Sequence, residues 1–199
     1  SNGGGAEVGV VTLTTDESLI LYAAGYDADD NYISAVDASW QVTGDLDAVP
    51  ASGESIEFTP STAPTTGTIT VSSAGLTGAV TGTVTVNVGV LDNVLVEDAA
   101  GGLGSAVDAV EITTDSTLTF YLVGYDQDNN YIRDINAQWS VQGSIGTVST
   151  GTDISTSTDF IATTVGNGTV QADTSSFTDE TGVITVTGGA LSYLLIRDG

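Results

Sequence analysis

The sequence predicts an all-β protein made of two tandem β-sandwiches, and three observations carry the prediction. Composition opposes helices: 25 of 199 residues are Gly, Thr, Ser and Val abound, and Lys and Arg together number 2. β-Branched residues suit a pleated sheet, while Gly and Asp collect in turns. The chain also repeats itself at about one domain length, so that Gly25-Tyr26-Asp27-Ala28-Asp29-Asp30-Asn31-Tyr32-Ile33 matches Gly124-Tyr125-Asp126-Gln127-Asp128-Asn129-Asn130-Tyr131-Ile132. Within each copy apolar residues alternate with polar ones, the period of a strand with one buried face.

The elements follow in chain order. Leu19, Leu21 and Ala23 share one face of a strand, as do Leu118, Phe120 and Leu122 in the second copy, with Thr119 and Tyr121 on the other face. The Asp-rich run is the turn that ends this strand. A second strand carries Ala38, Trp40 and Val42, matched by Ala137, Trp139 and Val141; the alternation turns both Trp inward. Further short strands are expected at Ile56-Phe58, 68–71 and 83–88, and at Phe160-Ile161, 169–172 and 183–187. About seven short strands per copy around a central Trp describe a sandwich. The domains predicted are 1–90, 91–190 and a trailing strand at 191–199.

Charge and missing residue types exclude whole classes of function. With 26 Asp plus Glu against 2 Lys plus Arg, the formal charge is -24, which repels a phosphate backbone. Nucleic acid is therefore excluded as a partner. Without His or Cys there is no imidazole- or thiolate-based nucleophile, soft-metal site, redox couple or disulfide. No apolar run reaches the ~18 residues of a membrane helix, and no basic-then-apolar leader opens the chain; membrane insertion is not expected. Paired carboxylates perform glycoside hydrolysis, but these lie in duplicated turns and no pair stands out. An enzyme is not expected, and no cofactor is required.

The runs Leu118 to Ile132, Trp139-Ser140-Val141, Gly166-Asn167-Gly168-Thr169-Val170 and Val183-Ile184-Thr185-Val186 resemble bacterial immunoglobulin-like domains of the invasin and intimin type. Both copies fit. The resemblance implies immunoglobulin-like sandwiches used as spacers, stalks or adhesive tips of cell-surface proteins, hence an extracellular or surface location.

A count of strands sharpens this. Val94-Leu95-Val96-Glu97-Asp98 reads as the opening strand of the second copy, and the first copy shows no counterpart, since its linker-like start Ser1-Asn2-Gly3-Gly4-Gly5 aligns with the glycine stretch Gly101-Gly102-Leu103-Gly104 that follows such a strand. The pattern of Leu91 to Asp98 recurs instead at Leu191-Ser192-Tyr193-Leu194-Leu195-Ile196-Arg197-Asp198, after the second copy is complete. An open sheet edge and a loose apolar strand are both hazards. They cancel if the tail of one chain completes the first domain of the next by strand addition, a head-to-tail contact that grows an open filament. Leu191, Tyr193, Leu194, Leu195, Ile196 and Arg197 are then the subunit interface, and the partners are copies of the same chain. Two alternatives remain at this point: a segment of a longer tandem surface adhesin or S-layer protein, with a glycan or host protein as ligand, and a tail that folds back on its own first domain.

Asp27, Asp29 and Asn31, with Asp126, Asp128 and Asn130, space oxygens two residues apart as the start of a calcium loop does, which makes them candidate calcium ligands. The same spacing suits an Asx turn, in which Asp and Asn bond their own backbone. Tyr22, Tyr32, Tyr121 and Tyr131 are the outward aromatic candidates, and Asn167-Gly168-Thr169 is a glycosylation sequon within a glycine turn.

Overall fold

The computed structural model describes residues 4–197. Ser1 to Gly3, part of the glycine linker, and Asp198 and Gly199, the end of the trailing strand, lie outside the described residues. The chain is all-β: no helix occurs among the described residues. It divides into two compact units, one comprising residues 1–90 together with Asp126–Asn130, the other Leu91–Tyr125 and 131–199.

The first unit contains β1 (Val11–Thr14), β2 (Leu19–Tyr22), β3 (Ala24–Tyr26), β4 (Tyr32–Ala35), β5 (Ala38–Val42), β6 (Ser52–Gly53), β7 (Ser55–Phe58), β8 (Thr65–Gly67), β9 (Ile69–Ser72), β10 (Ala79–Val80) and β11 (Val84–Asn87). One layer is built from β1-β11-β8 and β10-β9-β5-β6, with β1 parallel to β11. The other consists of two short pairs, β2-β7 and β3-β4. Between the layers lie Leu13, Leu21, Ala23, Trp40, Ile56, Phe58, Ile69, Val84 and Val86, all buried.

The second unit contains β12 (Asn93–Glu97), β13 (Val110–Thr113), β14 (Thr117–Tyr125), β15 (Tyr131–Asp134), β16 (Ala137–Gln142), β17 (Gly146–Val148), β18 (Ile154–Ser155), β19 (Ser157–Ala162), β20 (Gly166–Asp173), β21 (Thr178–Glu180) and β22 (Ile184–Thr187). One sheet runs β12-β14-β19-β17 with β15 also on β14; the other runs β13-β22-β20-β16-β18 with β21 on β20. The units thus share one plan of two facing sheets, the immunoglobulin-like arrangement.

Periodicity explains the packing. Leu21, Ala23, Phe120 and Leu122 are buried as their alternation dictates, and so are Trp40 and Trp139, at 5% and 2% exposure. Each indole N–H still needs an acceptor once buried. Trp40 Nε1 donates to the Gly53 carbonyl and Trp139 Nε1 to that of Ser155, both at 2.9 Å. A strand not anticipated from the sequence is β1, matched by β13; each alternates (Val11, Leu13; Val110, Ile112) but is only four residues long and bounded by polar turns.

Candidate functional site

The edge of β14 and the matching edge of the first unit differ in what lies along them. In the second unit β12 lies antiparallel along β14, pairing Asn93 with Tyr125, Val94 with Gly124, Leu95 with Val123, Val96 with Leu122 and Glu97 with Tyr121. Val94 and Val96 thereby enter the core, at 6% and 1% exposure. The repeat places Tyr22 to Tyr26 where Tyr121 to Tyr125 stand. Among the described residues no strand lies along Tyr22, Ala23, Ala24 and Gly25 on that side. The gap is visible at one glycine pair: a Cβ on Gly124 would meet Leu91 Cδ1 at 2.7 Å, as well as Ile135, whereas around Gly25 only Val36 and Ser34 come within 4 Å.

The trailing segment lies outside any strand. Residues 191–197 carry no strand assignment and are exposed throughout, with Leu191 at 85%, Leu194 at 84% and Ile196 at 104%. Four aliphatic side chains in water over seven residues form a contiguous apolar display.

The two Asp turns share one internal design. Asp27 Oδ1 accepts from the backbone N–H of Asp29 and of Asn31, both at 2.9 Å, and the Asn31 amide donates to both its oxygens at 3.2 and 3.0 Å. Asp126 Oδ1 accepts from the N–H of Asp128 at 3.1 Å and of Asn130 at 2.8 Å, and the Asn130 amide donates to both oxygens at 3.1 and 3.0 Å. Asp30 and Asn129 take the left-handed angle such a turn requires, with φ of 62° and 64°. These are Asx turns in which the carboxylate Oδ1 is spent on N–H groups. Among the described residues no group of three or more carboxylates converges on a common point.

Beyond that shared core the turns differ. The Asp126–Asn130 turn is docked inside the first unit. Asp126, with no exposed surface, accepts on Oδ2 from the Thr15 hydroxyl at 2.8 Å and from the Gly89 N–H at 2.9 Å. Asn130 Oδ1 accepts from the Ala63 N–H, and its amide donates to the Ser61 carbonyl, both at 2.9 Å. Burial pushes the Asp126 carboxyl toward protonation. The bonds from Gly89, Asn130 and Thr15 outweigh that and hold it below the usual carboxylate range. The Asp27–Asn31 turn is exposed; its own Asn31 N–H, then the Asn31 amide and the Asp29 N–H, lower the Asp27 pKa.

Tyr22 and Tyr32 are exposed at 51% and 36%, Tyr131 at 38%, and Tyr121 is half-buried. Asn167 is an exposed residue of β20, paired with Thr185. No described helix is long and apolar enough to cross a membrane.

No family model matches the sequence, and no curated protein does. Solved structures do resemble the fold. Domains 4 and 5 of the S-layer protein SbsC match at a TM-score of 0.33 and 16% identity, covering 86% of this chain and 98% of that one. Drosophila OTK extracellular domains 3–5 match at 0.42 and 10%, covering 92% and 63%. The fibronectin(III)-like modules of Clostridium thermocellum CbhA match at 0.28 and 12%, covering 96% of each chain. These neighbours are tandem immunoglobulin-like or fibronectin-like domains, a likeness of architecture only.

Proposed function

We propose that the chain is a structural subunit of an extracellular filament or surface array, in which residues 191–197 of one copy lie as an added strand along Tyr22–Tyr26 of the next. The register follows from β12 on β14: Tyr193 opposite Tyr26, Leu194 opposite Gly25, Leu195 opposite Ala24, Ile196 opposite Ala23 and Arg197 opposite Tyr22.

The observation that carries this reading is a reciprocal exchange of size. Where β14 presents Leu122 and Val123, the open edge presents the smaller Ala23 and Ala24. Where β12 sets Val96 against Leu122, the tail sets the larger Ile196 against Ala23, and Leu194 replaces Val94 opposite an unchanged glycine. A close-packed core accepts changes that conserve volume and resists those that do not, so the tail fits this edge better than it fits β14. Charge agrees. Glu97 bridges Ala106 in the second unit, and the positions corresponding to that pair are Arg197 and Glu7. One of the two cations in the sequence thus comes opposite an exposed carboxylate. Strand addition of this kind is head-to-tail and unlimited.

The duplication itself favours a second reading, a stalk or adhesive segment of a longer surface protein of the invasin, intimin or S-layer kind. Sedimentation and negative-stain microscopy separate the two. The full chain is expected to form filaments with rising concentration, and a variant ending at Ala190 to stay monomeric with unchanged melting. A full chain that remains monomeric at every concentration, with or without its tail, overturns the filament and leaves the stalk.

A further inference from the structure

The Asp27–Asn31 turn repeats the Asp126–Asn130 turn bond for bond, yet only the latter is docked. The surface on which it docks is also present twice. In the first unit the dock consists of Thr15, Gly89 and the Ser61–Ala63 segment, steadied by Asp16, whose Oδ2 accepts from the Val90 N–H at 2.7 Å. In the second unit the matching positions are Thr114, Gly189 and residues 163–165, and Asp115 Oδ2 accepts from the Ala190 N–H, also at 2.7 Å. A Cβ on Gly89 would fall 2.7 Å from the Asp16 carboxylate and one on Gly189 2.2 Å from that of Asp115, so a side chain at either position displaces the carboxylate that steadies the dock. The difference is what the two donors do. With a carboxylate present, the Thr15 hydroxyl and the Gly89 N–H both donate to Asp126. In the second unit the Gly189 N–H turns instead to the Thr114 hydroxyl, at 2.9 Å, and Thr114, Gly189 and Val165 face solvent in part or wholly.

We infer that the Asp27–Asn31 turn is a docking plug for the Thr114–Gly189 surface of a second copy. Asp27 Oδ2 accepts there from the Thr114 hydroxyl and the Gly189 N–H, and Asn31 engages the backbone at 163–165. The inference rests on the filament reading for the order of the copies, since the tail that leaves Ala190 is the strand proposed to run along Gly25, next to this turn. It adds a second, polar contact to that junction. Both bonds to Asp27 are charge-assisted and partly desolvated on docking, as those to Asp126 are. The occupant is a further copy of this chain, whose own docked turn supplies the template.

Because the sequence has no Cys, directed cross-linking tests the contact directly. Full chains carrying Asp27→Cys are mixed with full chains carrying Thr114→Cys and oxidised, with Asp27→Cys plus Thr77→Cys, an exposed site elsewhere, as control. The expected result is a disulfide-linked heterodimer in at least several-fold excess over the control. Assembly of the Asp27→Ala chain should also require about tenfold higher concentration, the size of one or two such bonds, with monomer melting little changed. Cross-linking no better than the control, with Asp27→Ala assembling normally, overturns the plug while leaving strand addition intact. Cross-linking above control in chains whose assembly ignores loss of residues 191–199 upholds the plug and overturns the strand.

Discussion

The pair Asp126 and Asp27 isolates what docking adds to one carboxylate, because their turns are otherwise alike. Asp126 accepts from Thr15 and Gly89 in a site with no exposed surface. Removing the acceptor takes a charge-assisted partner from the buried Thr15 hydroxyl and the part-buried Gly89 N–H, leaving them at best the weaker bond to each other that Thr114 and Gly189 make. Asp126→Ala is therefore expected to lower stability by about 2–4 kcal/mol, measured by denaturant unfolding. Asp27→Ala leaves exposed donors that water satisfies, so its loss should be clearly the smaller. Equal losses would mean that the docked contacts contribute nothing beyond the turn. The sequence made the two turns legible as a repeat and offered both an Asx turn and a calcium loop for their spacing. It did not show that one turn belongs to the first compact unit, because the residues that receive it, Thr15, Ser61, Ala63 and Gly89, are ordinary small residues of other turns that only folding gathers.

At the level of strands, the same pattern occurs buried at β12 and exposed at the tail, which allows a matched comparison. Val96 is 1% exposed and Ile196 fully exposed. Val96→Asp would put a charge into the core of the second unit and is expected to cost at least about 3 kcal/mol or to prevent folding. Ile196→Asp should leave the melting of the isolated chain within about 0.5 kcal/mol of the original and abolish assembly. A monomer destabilised by Ile196→Asp would mean that the tail already packs within its own chain. Alternation around Trp40 and Trp139 revealed the central strands, and comparison of the two copies showed that the pattern of β12 has no counterpart ahead of β1 in the sequence. Less legible were β6, β10 and β18, two residues each, which exist only because a longer neighbour supplies their ladder. The break between β2 and β3, where the second unit has the continuous β14, was equally hidden. It falls at Ala23, on the edge that no described strand supports.

For the whole molecule, charge and hydrogen bonding pull the pH dependence in opposite directions. A formal charge of -24 at pH 7 makes the compact state repel itself, and approach to the isoelectric point near 4.1 removes that repulsion. Melting temperature should therefore rise as pH falls from about 7 toward about 4, and added salt at neutral pH should raise it as well. Below that range the sign reverses. Asp126, Asp27 and Asp47 each have a folded pKa below the ordinary 3.8. For Asp47, burial opposes ionisation and bonds from Ser61 and Thr62 outweigh it. A group whose folded pKa is depressed contributes stability that is present above its unfolded pKa and lost as pH falls through the folded value. Stability should thus peak near the isoelectric point and drop on further acidification, with a shallower drop in Asp126→Asn, which has no carboxylate to protonate there. Thermal scans between about pH 2 and pH 8 in low salt decide it. A curve highest at pH 7 would mean that the surface charges are too well solvated to oppose folding, and an acid limb unchanged in Asp126→Asn would remove the docked carboxylate from the account.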